Sequence, residues 1–254
     1  MEECVFRDKN YLCHYTSFDS LCMILSTMTL KVCSFSNSND IAELENNISC
    51  ILSSNKEEEV KRFVKEHCGY ISFSINKEIY GQNQNPQFGY LIPSMWGIYA
   101  DKSKGACLVL DEDIFKSVNN TALSKAKWEE FETISYTPFQ NLKLASSKDT
   151  PLDIIKKYYK HILCTKHASW GHEQERRLVG VDLPHTLSLK GGVIRGVVIG
   201  QCSTDEHKQQ LLSIIRDQNL ACYGQFDKKI FVKQIVKGTN VYTTEEGTYI
   251  TSNE

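Results

Sequence analysis

Three short stretches of the chain carry the residue types that grip or cleave a polar ligand. The first is His14-Tyr15-Thr16; the second is Ser72 and Ser74, followed by Trp96 and Tyr99; the third is Glu173 and Glu175 with Arg176 and Arg177. An imidazole orients a hydroxyl, an aromatic ring stacks on a base, and a carboxylate faces developing positive charge. Each stretch is weak evidence alone. Together they have the order of a split site, in which separate strand ends supply an orienting histidine, an aromatic shelf and an acid.

Cleavage of the nicotinamide–ribose bond of NAD has those needs. As the base leaves, the ribose carbon gains oxocarbenium character, so an acid must face the ribose and a ring must hold the base. His14 would orient a ribose hydroxyl, Tyr99 would stack, and Glu175 would hold the hydroxyl beside the reacting carbon. Glu173 and Glu175, two apart on an expected strand, share a face, which permits a paired-carboxylate site.

Each feature also has an ordinary reading. His14 and Tyr15 fit a hydrogen-bonded core or capping pair, and Trp96 with Tyr99, three apart on a helical turn, fit core packing. Ser72 and Ser74 fit the exposed face of an edge strand, and the Glu-Arg run fits a solvated ladder of ion pairs. His161, Cys164, His167 and His172 have no common structural-zinc spacing, so no metal is expected. Gly105 after Asp101 and Lys104 reads as a turn into a strand rather than a phosphate cradle, and neither GxGxxG nor GxxxxGK occurs.

The elements that must position these residues follow from periodicity. Leu21, Ile24, Leu25 and Met28 recur at helical spacing behind an N-cap at Thr16 or Ser17. LKVCSF (30–35) alternates as a strand, and Asp40 in SNSND caps a following helix. EEEVKRFVKEHC (57–68) is an amphipathic helix ended by Gly69, and YISFS (70–74) is a strand. A long polar loop precedes SMWGIYAD, read as one or two helical turns, and GACLVLD (105–111) is a buried strand. A helix near 112–130 precedes a strand at TISYTP. PLDIIKKYYKHILCTKH is a helix with proline in its first turn, in which KKYYKH is a solvated face that buries its tyrosines. ERRLVGVDL, HTLSLK and VIRGVVIG are strands, and Ser203 with Glu206 has capping-box spacing ahead of QQLLSIIRD, with ACYGQF as a closing strand. The class is α+β, with helices around strands.

The chain has 254 residues, 41% of them hydrophobic, enough for a sizeable core, and no linker-like stretch divides it, so one domain over 1–254 is expected. No apolar run is long enough for a membrane span. Residues 1–12 carry charge of both signs and no export signal, which predicts a cytoplasmic protein. Ten cysteines without a CxxC pair read as reduced packing residues. The balance of 29 basic against 31 acidic residues excludes a broad nucleic-acid coat, though a nucleic acid remains possible as a small-site substrate.

YLCHYTSFDSLCMIL, SNSND, MWGIYADKSKGACLVLD, KHASWGHEQERRLV and IRGVVIG, in that order and spacing, resemble the bacterial domain-of-unknown-function family 2971 over most of residues 11–200, with a family-like region to about 237 and a short C-terminal tail. Ile98 stands where many relatives have histidine, and Asn39-Asp40 lacks the usual proline and aromatic residue after it. That family in turn resembles the ADP-ribosyltransferase group. The resemblance implies a single domain with a split, mostly antiparallel sheet flanked by helices and gripping NAD. In one branch the site is His, Tyr and Glu, matched by His14, Tyr99 and Glu175. In the other it is Arg, Ser-x-Ser and Glu-x-Glu, matched by Arg7, Ser72 with Ser74, and Glu173 with Glu175. Nucleotide contacts then fall to His14, Tyr15, Thr16, Ser72, Ser74, Trp96, Tyr99 and Arg176. Catalysis falls to Glu175, Glu173 and His14, with a nucleic acid or protein as the implied acceptor. A toxin or phage-defence effector is one implied role. A non-catalytic sensor of a nucleotide or nucleic-acid end and an RNA 2'-phosphotransferase-like enzyme are the alternatives.

Overall fold

The computed structural model describes residues 11–37, 41–52, 54–76, 88–137 and 149–217, together with the strands at 230–237, 242–244 and 248–250. In chain order the elements begin with β1 (Tyr11–Thr16), α1 (Phe18–Thr27), β2 (Thr29–Lys31), β3 (Cys33–Ser34), α2 (Ile41–Ile51), α3 (Ser54–His67) and β4 (Cys68–Ile75). They continue with α4 (Pro93–Ile98), β5 (Ala106–Asp111), α5 (Glu112–Leu123), β6 (Trp128–Thr133), β7 (Ser135–Tyr136), α6 (Pro151–Leu163) and β8 (Thr165–Lys166). The last are β9 (Glu175–Val181), β10 (Thr186–Ser188), β11 (Ile194–Ile199), α7 (Asp205–Asp217), β12 (Ile230–Lys237), β13 (Tyr242–Thr244) and β14 (Thr248–Ile250). The fold is α+β; β1 with β4 and β5, β5 with β11, β12 with β13 and β14, β3 with β4 and β6 with β9 are antiparallel pairs, and β11 with β12 and β7 with β8 are parallel.

The chain forms two compact units, each discontinuous in sequence. One comprises the chain up to Leu30, Phe73–Asn120 and the chain from Leu187 onward; the other comprises Lys31–Ser72 and Thr121–Thr186.

In the first unit the strands run β13-β12-β11-β5-β1, with the end of β4 beside β1. Strand β5 is buried at every position, as its apolar run requires, and pairs β1 from Tyr11↔Asp111 to Thr16↔Ala106. Successive side chains of β1 alternate between the two faces of the sheet. Tyr11, Cys13 and Tyr15 join a buried cluster with Phe88, Tyr90, Ile92, Met95 and Trp96. Ser17 caps α1 by accepting from the Ser20 N–H, one of the two caps the sequence offers.

The turn between α4 and β5 explains much of the MWGIYADKSKG pattern. Asp101, Lys102 and Ser103 are all left-handed, at φ 45°, 52° and 67°. Three consecutive residues in that region cost on the order of 1–2 kcal/mol each. The turn is held by Ser103 N–H on the Trp96 carbonyl at 2.9 Å and Cys202 N–H on the Ser103 carbonyl at 2.9 Å. Gly105 is required because a Cβ there would lie 2.1 Å from the Thr16 carbonyl oxygen. Its backbone approaches the end of β1, consistent with a turn into a strand.

In the second unit β9 lies between β4 and β6, with β3 on β4, and β6 pairs β9 from Trp128↔Val181 to Thr133↔Arg176. Helices α2, α3 and α6 pack Ile48, Val60, Val64, Ile154, Ile155 and Ile162 into its core. Thr150 and Asp153 form a capping box in front of Pro151.

Several expected elements shift. Gly69 does not end a helix; it lies inside β4, where a Cβ would come 2.6 Å from Val32 Cγ1. The expected helix to 130 stops at Leu123, and β6 begins at Trp128, because pairing with β9 outweighs the helical propensity of WEEFE. The cap of α7 is Thr204, which accepts from the His207 N–H, while the Ser203 hydroxyl donates to the Lys104 carbonyl. Arg7, Asn39, Asp40, the core of the 76–92 loop and ACYGQF lie outside the described residues.

A buried ionic cluster as candidate functional site

Of the three candidate stretches, Glu173–Arg177 has the most unusual surroundings. Helix α6 ends at Leu163, β8 carries Lys166, and a short 3-10 helix, Ala168–Glu173, is capped by the His167 side chain. Gln174 then turns left-handed at φ 48°, and β9 starts at Glu175. Glu173 and Glu175 are therefore not neighbours on one strand face. They converge because the left-handed residue folds the chain back, and because one ammonium holds both: Lys166 Nζ is 2.6 Å from Glu173 Oε2 and 2.8 Å from Glu175 Oε2.

Arg177 closes the cluster. Its Nε donates to Glu175 Oε1 at 2.7 Å and its second terminal nitrogen to Oε2 at 3.1 Å, a fork-to-fork pair. The other terminal nitrogen reaches Glu43 Oε1 of α2 at 2.9 Å and the Leu163 carbonyl at 2.5 Å. The guanidinium lies 5.1 Å from the Tyr70 ring centre and 5.7 Å from that of Phe35. The Ser72 hydroxyl donates to Glu175 Oε1, and the Glu175 N–H donates to the Tyr136 hydroxyl at 2.8 Å.

Glu43, Glu173, Glu175 and Arg177 are only 2–3% exposed, and Lys166 7%. The ordinary expectation of a solvated ion-pair ladder is thus corrected: the ladder is buried. Burial raises the pKa of Glu175, but the charges of Arg177 and Lys166 overcome it and hold the carboxyl at about 2. Glu43 goes the other way, pushed up by burial that Arg177 and Lys166 offset only in part. For Lys166, burial is opposed by Glu175 and the other carboxylates, and the net effect is upward. The arrangement favours the ionised form of Glu175 and disfavours its use in proton transfer near neutral pH.

Arg176, the arginine expected to touch a ligand, points away from this cluster because it alternates with Glu175 and Arg177 along β9. It stacks over Phe131 at 5.5 Å and donates to the Thr133 hydroxyl at 3.2 Å. Arg177, Lys166, Glu43 and Tyr136 were not assigned roles from sequence. The Glu-x-Arg spacing of 175 and 177 was the available signal for Arg177, since residues two apart on a strand share a face.

The remaining expected residues lie in the first unit. His14 is partly exposed, with its ring edge-on to Phe73 at 6.0 Å. Tyr15, on the opposite face of β1, is buried. Its hydroxyl donates to the Gly89 carbonyl at 2.6 Å and accepts from the Ile92 N–H at 3.3 Å, and burial pushes its pKa well up. Trp96 packs edge-on against it at 5.2 Å, is 0% exposed and donates its indole N–H to the Tyr90 carbonyl, the core role favoured for it. Tyr99 sits at the C-cap of α4, half-buried against the same cluster. Thr16 is buried at the end of β1. Ser74 is 1% exposed, opposite Cys13, and its hydroxyl has no hydrogen-bond partner among the described residues. Of the expected groups, the structure joins Ser72 with Glu175, Glu173 with Glu175, and Tyr15 with Trp96.

Among the described residues no group of three or more His, Cys, Asp or Glu side chains is placed to hold a metal ion, and no helix is long and apolar enough to cross a membrane. Burial pushes the Cys164 thiol up to about 12.

Residues 95–178 match the family described as protein of unknown function (DUF2971). The match begins in α4 and ends inside β9, so it takes in both the left-handed turn and the ionic cluster's Lys166, Glu173, Glu175 and Arg177. No curated protein matches the chain. A solved structure to which the chain is similar is that of Thermus sp. 2.9 DarT in complex with ADP-ribosylated ssDNA. The identity is 12%, with 84% of this chain and 90% of that chain covered, at a TM-score of 0.35.

Proposed function

We propose that the chain is an NAD-consuming, ADP-ribosyltransferase-like enzyme with Glu175 as its central acid. The observation that carries the reading is the hydrogen bond from Ser72 of the Ser-x-Ser strand to Glu175 of the Glu-x-Glu segment, on a carboxylate kept ionised by Arg177 and Lys166. It favours the Arg, Ser-x-Ser, Glu-x-Glu assignment over the His, Tyr, Glu one, with Arg7 as that assignment's remaining member. A fixed anion suits electrostatic stabilisation of a ribosyl cation, a role that needs charge already in place rather than a proton. In the reaction the bond between the ribose C1' and the nicotinamide nitrogen breaks and its electron pair leaves with nicotinamide. An acceptor oxygen or nitrogen, on a nucleic acid, a protein or water, then bonds to C1' and passes its proton to Glu173, the carboxylate assigned to activate it, or to solvent water. A cytoplasmic effector such as a toxin or phage-defence protein is the corresponding biological role.

A second reading is favoured by a specific feature: both Glu175 oxygens are already occupied, by Ser72, Lys166 and two nitrogens of Arg177. In that reading the cluster is the scaffold of a non-catalytic nucleotide-binding module. Free nicotinamide, followed on incubating purified protein with NAD, separates the two. Release by the wild type and a loss of at least about 100-fold in a folded Glu175→Gln variant supports the enzyme. NAD binding with no nicotinamide release by the wild type supports the binding module and ends the enzymatic proposal.

A further inference from the structure

The carboxylates of Glu173 and Glu175 are brought to one point of the second unit, and a single side chain stands between them. Lys166 Nζ lies 2.6 Å from one and 2.8 Å from the other, with the lysine 7% exposed and both acids almost wholly buried. Two carboxylates that share a buried site without a cation share a proton instead. Among the described residues, none of the following groups beside the pair replaces the lysine. Arg177 is already committed to Glu175 and Glu43, the Ser72 and Tyr136 hydroxyls are neutral, and the buried Cys164 thiol has its pKa pushed up, which favours its neutral form. Glu43 adds a further carboxylate from α2. The ammonium also lies 5.6 Å from the Trp170 ring centre, a contact that restrains its direction.

We propose that Lys166 is a positioning residue of this site: it holds the Glu173 and Glu175 carboxylates side by side and, together with Arg177, sets the charge that Glu175 presents. The inference rests on the reading of Glu175 as the central acid for its kinetic arm, but its charge arm is independent of any activity. Nothing in the Glu-x-Glu pattern itself calls for a lysine seven residues before the first acid.

The test compares wild type, Lys166→Met and Lys166→Arg in two measurements. In the first, carboxyl-carbon NMR of glutamate-labelled protein follows protonation against pH. The expected result is a carboxyl in Lys166→Met that titrates at least about one pH unit above the ordinary glutamate range, absent in wild type and in Lys166→Arg. In the second, nicotinamide release from NAD is followed against pH. The acid limb of the profile moves upward in Lys166→Met, a loss of at least about 10-fold one unit below the new limb, with recovery in Lys166→Arg. Should Lys166→Met not fold, the double variant Lys166→Met/Glu173→Gln removes the like-charge pair and regains a folded protein.

A folded Lys166→Met with no upward-titrating carboxyl overturns the inference, whatever the activity. So does failure of the double variant to fold when the single one fails. Wild type that releases no nicotinamide refutes the enzymatic reading alone, because the NMR result still decides the role of Lys166.

Discussion

One site in each unit buries polar side chains by a different means. In the first, the Tyr15 hydroxyl is sealed among apolar and aromatic groups and bonds the neutral main chain of Gly89 and Ile92. In the second, Arg177 and Lys166 are sealed with three carboxylates. A neutral buried hydrogen bond adds a modest net stability and penalises loss of a partner moderately. A buried ion pair contributes little net stability over an apolar replacement, yet its half-removal is severe, because the remaining charge has no partner. The comparison teaches that the ionic cluster is held by all-or-none electrostatic matching, and the Tyr15 hydroxyl by packing with neutral hydrogen bonds.

The largest expected effect breaks the charged side of that comparison. Arg177→Ala takes the guanidinium away from Glu175 and Glu43 and should lower unfolding free energy by roughly 3–5 kcal/mol in urea denaturation. Adding Glu43→Gln and Glu175→Gln to that background should recover most of the loss. If the triple variant is no more stable than the single one, the penalty is a packing defect and not an uncompensated charge.

Acid titration sharpens the same point. Glu175 is held at about 2 in the folded protein, below its ordinary value, so it contributes stability present above the ordinary glutamate range and lost as pH falls toward 2. The sign is opposite for Glu43, whose raised pKa favours the folded state on the acid side and offsets part of the loss. Denaturation midpoints should therefore fall between about pH 4.5 and 2, by on the order of 3 kcal/mol for the Glu175 contribution. In Glu175→Gln that part of the slope should vanish; an unchanged slope would remove Glu175 as its source.

On the neutral side, Tyr15→Phe removes one hydroxyl and leaves the Gly89 carbonyl and the Ile92 N–H buried without it. The expected cost is about 1–3 kcal/mol, with no change in the acid slope. The smallest effect is at the start of α1, where Ser17→Ala deletes the cap on Ser20 and should cost about 1 kcal/mol, read as a small drop in thermal midpoint.

Legibility from sequence followed the range of the interaction. The cap at Thr16 or Ser17, the buried run of β5 and the helical turn at SMWGIYAD were readable, because each depends on neighbours within a few residues. The same holds for Trp96 as core. Gly69 was misread because a glycine after a helical run has two explanations, and only the nearness of Val32 chooses between them. Arg176 was preferred to Arg177 as a ligand contact, although strand alternation places only Arg177 with Glu175.

By itself, the order of residues determined an α+β chain with its local caps and apolar runs, since those patterns are set by backbone periodicity and by hydrogen bonds between near neighbours. Only the tertiary structure decided that the acidic stretch is a buried ionic core. Arg177 reaches Glu43 across 134 positions of chain, Ser72 reaches Glu175 across 103, and Lys166 meets two acids only because Gln174 turns left-handed between them. The effect of a charge depends on what surrounds it in space, and no pattern along the chain records that surrounding.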